Sequence, residues 1–173
     1  MAFDLNRHIT TYADFPKDGI TFYDISPVLE DAAALNNCVA ALTALAKPYH
    51  PDLIAGIDAR GFLFVTPVAL ALGVGALMIR KKGKLPGKVI NHAYALEYGE
   101  ASLSIQEDRQ IEGKTIVLVD DLLATGGTIA AANHLITARG GIIAANIVLI
   151  ELTGLKGRDH LMGEVHPLQQ YEF

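Results

Sequence analysis

The sequence predicts an α/β fold built on a central, mostly parallel β-sheet flanked by helices. Three observations carry the prediction. Short apolar runs recur at Leu53–Ile57, Ala76–Ile79, Ile116–Val119 and Ile142–Ile150, and continuous apolarity marks strands buried on both faces. Helix-forming stretches alternate with them, the order expected of β-α-β units. Charged residues collect where the runs end, at Asp58-Ala59-Arg60, Arg80-Lys81-Lys82, Asp120-Asp121 and Glu151-Leu152. Sheets of this class bind ligands outside the carboxyl ends of their strands.

The elements follow in chain order. Phe3 to Ile9 is expected as a short helix and Pro16-Lys17-Asp18-Gly19 as a turn. Ile20 to Pro27 mixes apolar and polar residues and ends at a proline, so it reads as a loop or a short edge strand. Asp31 or a neighbour caps a helix from Ala32 to Ala46, with Leu35, Val39, Leu42 and Leu45 on one stripe, and Pro48 stops it. The Leu53 strand leads into a helix from Phe62 to Leu72. Gly61 to Ile79 is long and apolar enough to suggest a membrane span, but Pro67, Gly73 and Gly75 interrupt it. Helix, turn and strand is the reading, with Gly73 as the C-cap. The Ile116 strand and a helix from Ile129 to Arg139 continue the alternation, and Gly140-Gly141 precede the Ile142 strand.

The chain has 173 residues, 51% of them hydrophobic, enough for one domain with its own core. A net charge of −5 argues against a general nucleic-acid partner. Cys38 is the only cysteine, which excludes an internal disulfide and fits a reducing, cytoplasmic setting. The N-terminus has no basic region followed by an apolar one, so no signal peptide is read.

Ile116 to Ala132 is the densest functional stretch. Asp120 and Asp121 follow the strand, then Ala124-Thr125-Gly126-Gly127-Thr128, then a helix. Paired glycines let the backbone turn sharply and aim successive N–H groups inward. The helix N-terminus favours an anion, and Thr125 and Thr128 add hydroxyl donors. One phosphate fits there. Carboxylates repel phosphate but accept from sugar hydroxyls, so the ligand reads as a ribose 5-phosphate. The plainer alternative is a polar strand end before an ordinary glycine turn. The glycines do not form G-x-G-x-x-G. Gly113-Lys114-Thr115 precedes the strand and has Asp108 where a P-loop needs glycine.

Arg80, Lys81, Lys82, Lys84 and Lys88 form a second cluster. A lysine run is often a solvated loop. This one starts at a strand's carboxyl end and contains Gly83, Pro86 and Gly87, so an anion such as pyrophosphate fits, with arginine offering a fork and lysine a point charge. Asn91 to Gly99 reads from composition alone as an edge hairpin, with Tyr94 and Tyr98 packed and Glu97 solvated.

Asp120-Asp121-Leu122-Leu123-Ala124-Thr125-Gly126-Gly127-Thr128 resembles the 5-phosphoribosyl-1-pyrophosphate (PRPP) signature of the type I phosphoribosyltransferases, in the version of the adenine phosphoribosyltransferases. Asp58 to Phe64 and Ile79 to Gly87 resemble two more family segments, and Tyr94 to Gly99 a third. The resemblance implies one phosphoribosyltransferase domain over 1–173, with a small N-terminal hood of about residues 1–30 and a flexible catalytic loop. It implies pyrophosphate contacts for Arg60, Arg80, Lys81 and Lys84, with Lys82 at a variable position. It makes Glu97 the acid/base on the purine ring and Tyr98 a lid. Gly19-Ile20-Thr21-Phe22-Tyr23-Asp24-Ile25 resembles the adenine-pocket segment, with Tyr23 where the commoner pattern has arginine. By position the Thr21 carbonyl and the Tyr23 N–H read the adenine edge, Phe22 lies between them, and Leu122 packs either on the base or in the core.

The implied reaction is adenine plus PRPP giving AMP and pyrophosphate, in purine salvage. Implied with it are Mg²⁺, held mainly through PRPP, pyrophosphate and water, and a homodimer. No His/Cys cluster suggests another metal. The alternatives are a transferase for another purine base, or a non-catalytic regulator that binds PRPP or a nucleotide. Against the regulator, the chain has no spare length and no second basic patch.

Overall fold

The structure is a computed structural model that describes residues 4–96 and 99–172, and side chains only outside 95–100. Leu5–His8 forms one 3₁₀ turn, capped by the Asp4 carboxylate, in place of the expected Phe3–Ile9 helix. β1 (Thr10–Tyr12) and β2 (Phe22–Asp24) pair antiparallel as a separate two-stranded sheet. α1 (Ser26–Glu30) and α2 (Ala32–Ala46) follow. Pro27 sits in the first turn of α1, where its missing N–H costs no hydrogen bond, so it opens a helix instead of closing a strand. Asp31 caps α2, accepting from the N–H groups of Ala33 and Ala34 at 2.8 and 3.0 Å. The buried line of α2 is Ala34, Cys38, Leu42 and Ala46, with Leu35, Val39 and Leu45 half-buried beside it. Burial pushes the Cys38 thiol up to about 11.

Then come β3 (Leu53–Ile57), α3 (Phe62–Leu72), β4 (Gly75–Lys81), β5 (Val89–Leu96), β6 (Gly99–Gln106), β7 (Thr115–Leu123), α4 (Gly127–Ala138), β8 (Ile142–Leu152) and β9 (Glu164–Tyr171). Among the described residues the main sheet has seven strands in the order β5-β6-β4-β3-β7-β8-β9. β4, β3, β7, β8 and β9 run parallel, and the β5–β6 hairpin joins antiparallel at the β4 edge. α2 and α3 cover one face, packing with Ile54, Val117, Val119, Ile147 and Leu149. α4 covers the other with Ala55, Ile57, Ile116, Leu118 and Val148. Strands that bury both faces read as continuous apolar runs, which is why these were legible.

Several bounds shift. β7 continues through Asp120 and Asp121 to Leu123, because pairing with β8 (Asp120 opposite Val148, Leu122 opposite Ile150) carries the strand past its apolar part. β4 likewise includes Arg80 and Lys81, and β8 reaches Leu152. α3 runs through Pro67 and ends at Gly73, with φ +71°. Among the described residues no helix is long and apolar enough to cross a membrane. β9 was not expected. It is a half-exposed edge strand, and an edge tolerates Pro167.

β3 hands on through α3 to β4 on one side, and β7 through α4 to β8 on the other. β3 and β7 are neighbours, so their carboxyl ends form the topological switch point.

Candidate active site

A cavity of 720 Å³ opens at that switch point. Of the residues singled out in the sequence, Phe22, Arg60, Lys81, Asp120, Asp121, Leu122 and Ala124 to Thr128 line it. Tyr94 lines it too, from β5. Thr21, Tyr23, Arg80 and Lys84 do not. Glu97 and Tyr98 lie outside the described residues.

The loop between β7 and α4 turns on Gly126, at φ +84°. A Cβ there would sit 2.3 Å from the Gly157 carbonyl oxygen, and a Cβ on Gly157 would sit 2.1 Å from that of Ala124. Two backbones meet glycine to glycine, so the segment after β8 forms the loop's back wall. Gly157 was not singled out as a site residue. It falls within the domain that the resemblance implies over 1–173, without a role of its own. Gly126 also serves as the N-cap of α4 and has no side chain to occupy the orphan N–H groups of the first turn. Those groups and the Thr125 and Thr128 hydroxyls leave a donor-rich cradle. The Thr128 hydroxyl donates to Tyr94 Oη at 3.3 Å.

Arg158 is fixed next to this wall. Glu151, with a side chain 2% exposed, accepts from Arg158 Nε at 2.6 Å and from its Nη2, and from Gln170 Nε2 at 2.8 Å. The Arg158 hydrogen bonds hold the Glu151 carboxyl below the usual glutamate range.

Asp120 and Asp121 are buried at the cavity floor. Asp120 Oδ1 accepts from the Asp121 N–H at 3.0 Å, and the absent side chain of Gly61 leaves it room, since a Cβ there would lie 2.8 Å away. Burial pushes the Asp120 carboxyl well above the usual carboxylate range, and the adjacent Asp121 adds to the shift. Burial raises Asp121 as well, opposed by Arg60, whose Nε lies 2.9 Å from Asp121 Oδ2. The same guanidinium stands 5.8 Å from the centre of the Phe22 ring. Arg80 Nε donates to Asp58 Oδ2 at 3.1 Å and its Nη1 to the Lys84 carbonyl at 3.2 Å. Arg80 therefore ties the end of β4 to the end of β3 and to the basic turn. The cavity thus offers donors for one phosphate at α4, acceptors for hydroxyls at the aspartates, and cations for a second anion at Arg60 and Lys81. A phosphorylated pentose carrying a second anionic group matches that order.

Residues 30–161 match the phosphoribosyl transferase domain family. Over 169 residues the chain is 48% identical to an adenine phosphoribosyltransferase of Rhodospirillum centenum, covering 98% of this chain and 99% of that protein. The chain belongs to the adenine phosphoribosyltransferase family. Solved structures agree. The crystal structure of an adenine phosphoribosyltransferase from Thermoanaerobacter pseudethanolicus superposes with a TM-score of 0.93 at 46% identity, over 96% of this chain and 98% of that one. That of Saccharomyces cerevisiae, complexed with D-2,5-dideoxy-2,5-imino-altritol 1,6-bisphosphate and adenine, reaches 0.92 at 35%, over 95% and 96%. The adenine phosphoribosyltransferase fold accounts for the placement described above: cradle and acidic pair from β7 and α4, cations from the ends of β3 and β4.

Proposed function

We propose that the chain transfers the 5-phosphoribosyl group of PRPP to adenine, releasing pyrophosphate and forming AMP, a purine-salvage reaction. The observation that carries this reading is the division of one cavity wall into phosphate cradle, acidic pair and cationic end, in a chain of this family. The N–H groups and hydroxyls of Thr125 to Thr128 hold the 5-phosphate. Asp120 and Asp121 accept from the ribose hydroxyls. Arg60 and Lys81 meet the pyrophosphate, while Arg80 and Lys84 build its pocket from behind. Phe22 and Leu122, both on the cavity wall, pack on the base. Thr21 and Tyr23 do not line the cavity but flank Phe22, which does; their main-chain carbonyl and N–H read the base edge from there, and hypoxanthine would leave both unpaired.

The bond from C1′ to pyrophosphate breaks, the bond from C1′ to the purine nitrogen forms, and that nitrogen loses its proton. Glu97 moves this proton, and Tyr98 beside it covers a sugar centre that water would otherwise attack. Mg²⁺ supplies charge neutralisation on the pyrophosphate oxygens when bound. Among the described residues no group of three or more His, Cys, Asp or Glu is placed to hold a metal. Asp58, Asp120 and Asp121 are the carboxylates lining the cavity, Asp58 paired with Arg80, and that donor set suits an ion held mainly by substrate and water. We place the chain in the cytoplasm as a homodimer. Support for the dimer is an exposed apolar side: Leu63 and Leu70, two turns apart on α3, and Met78 on β4.

Two measurements test the reading. Glu97→Gln should lower kcat with adenine by roughly 10²- to 10⁴-fold, and unchanged turnover sinks the acid/base role. Calorimetry should show AMP binding tightly and IMP weakly, and the reverse order overturns the choice of base.

A further inference from the structure

Two described segments lie outside residues 30–161, the region shared with the wider family: the part carrying β1 and β2, and the part carrying β9. They pack on each other. The Tyr23 ring lies 4.6 Å from the Tyr171 ring, centre to centre, with 30° between their planes. Tyr171 Oη donates to Asn6 Oδ1 at 2.7 Å, and Asn6 Nδ2 donates to Gln169 Oε1 at 3.1 Å. The Thr153 hydroxyl donates to the Tyr171 carbonyl at 3.2 Å, fixing the other side of that residue to the end of β8.

Among the described residues the β1–β2 ribbon has no strand pairing with the main sheet. A two-stranded ribbon is marginal by itself, so side-chain packing must set its position. Strand alternation splits the work between neighbours. Phe22 faces the cavity, and Tyr23 turns its ring away onto Tyr171.

We propose that Tyr23 and Tyr171 are positioning residues for base recognition: their stacked rings fix the height and tilt of β2 above the cavity, and so set where the Thr21 carbonyl and Tyr23 N–H meet the purine edge. The proposal rests on the adenine-transfer reading above and deepens it. It assigns base placement to the two flanking segments, while the region between them handles PRPP. It also gives the Tyr23 side chain a role that leaves its main-chain contact intact, at the position where the commoner family pattern has arginine.

The test is initial-rate kinetics, varying adenine and PRPP separately, on Tyr23→Leu, Tyr171→Leu, the double variant and Tyr171→Phe. Loss of an aromatic pair predicts a rise of about three- to tenfold in KM for adenine in each leucine variant. KM for PRPP and kcat at saturating adenine stay at the parent values, a split that general loosening would not give. Tyr171→Phe keeps the ring and the parent KM for adenine. The double variant rises no further than the larger single, because the rings act as one contact. Any of four results overturns the proposal: parent KM for adenine in the leucine variants, equal rises for both substrates, a double variant equal to the product of the singles, or loss of cooperative melting in a leucine variant. A parent chain that does not use adenine at all overturns the transfer reading instead.

Discussion

Arg60 reaches across the switch point and pairs with Asp121 at 2.9 Å, joining the ends of β3 and β7. The carboxylate is the buried partner, 7% exposed against 42% for the arginine. In the proposed reaction the two would serve different parts of the substrate, pyrophosphate for the cation and ribose for the carboxylate. In the free site each neutralises the other. Arg60→Lys keeps the charge but loses the planar fork and the place over Phe22. Steady-state kinetics should show KM for PRPP rising roughly tenfold or more and KM for adenine little changed. An unchanged PRPP value would mean that Arg60 serves Asp121 alone.

Asp120 carries an opposing prediction for stability. Its folded-state pKa is raised by burial, so its contribution favours folding fully below the ordinary aspartate value of 3.8 and is lost as pH rises through the folded value. At neutral pH the free protein is strained by this carboxyl. Asp120→Asn removes the titrating carboxyl and keeps the oxygen that accepts from the Asp121 N–H. Thermal melts near neutral pH should show a gain of about 2–4 °C with transfer activity largely lost. The gain should shrink toward pH 4. A variant that melts lower at every pH counts against this account.

Gly157→Ala tests the back wall of the cradle. The new Cβ would fall 2.1 Å from the Ala124 carbonyl oxygen, a backbone atom that cannot swing aside. Overpacking of this kind costs about 1–3 kcal/mol. The melt should drop, and KM for PRPP should rise well beyond KM for adenine. Equal KM values to the parent would show that the loop holds its shape without this contact.

Arg158→Ala leaves Glu151 buried without its main partner. Removing one member of a buried pair costs about 3–5 kcal/mol, and the half-exposed arginine places this case at the lower end or below it. The pH dependence has a definite sign. The folded pKa of Glu151 is depressed, so the pair's stabilisation is present above the ordinary value of 4.5 and lost as pH falls through the folded value. Denaturant melts at pH 7 should separate parent and variant, and the gap should narrow as pH falls below 4.5. A constant gap across that range rules out the ionic contribution.

The strand, loop and helix at the cavity were legible in the sequence because their parts are consecutive. Strand, carboxylates, glycines, threonines and helix occupy one stretch from Ile116 onward, and each residue type has a local reason to be there. Arg60 and Lys81 were legible through the rule for strand ends. What escaped depends on pairing across the chain. Asp120 and Asp121 are poor strand formers by themselves, so β7 seemed to stop at Val119, and only the pairing with β8 extends it. β9 is polar, half-exposed and carries Pro167, so neither continuous apolarity nor alternation marked it. Gly157 gives no local signal of being a wall, since its meaning lies in the backbone of Gly126, far earlier in the chain. The Tyr23 side chain was open for the same reason, because its partner, Tyr171, belongs to the strand that went unread.

The contact between Gly126 and Gly157 has a thermodynamic consequence. A loop braced backbone to backbone has little freedom left to lose, so a 5-phosphate bound there as proposed would meet a small ordering penalty at that end of the site. In the proposed reaction, binding free energy gained there would not be consumed in freezing the loop and would remain available to hold C1′ as the transition state forms.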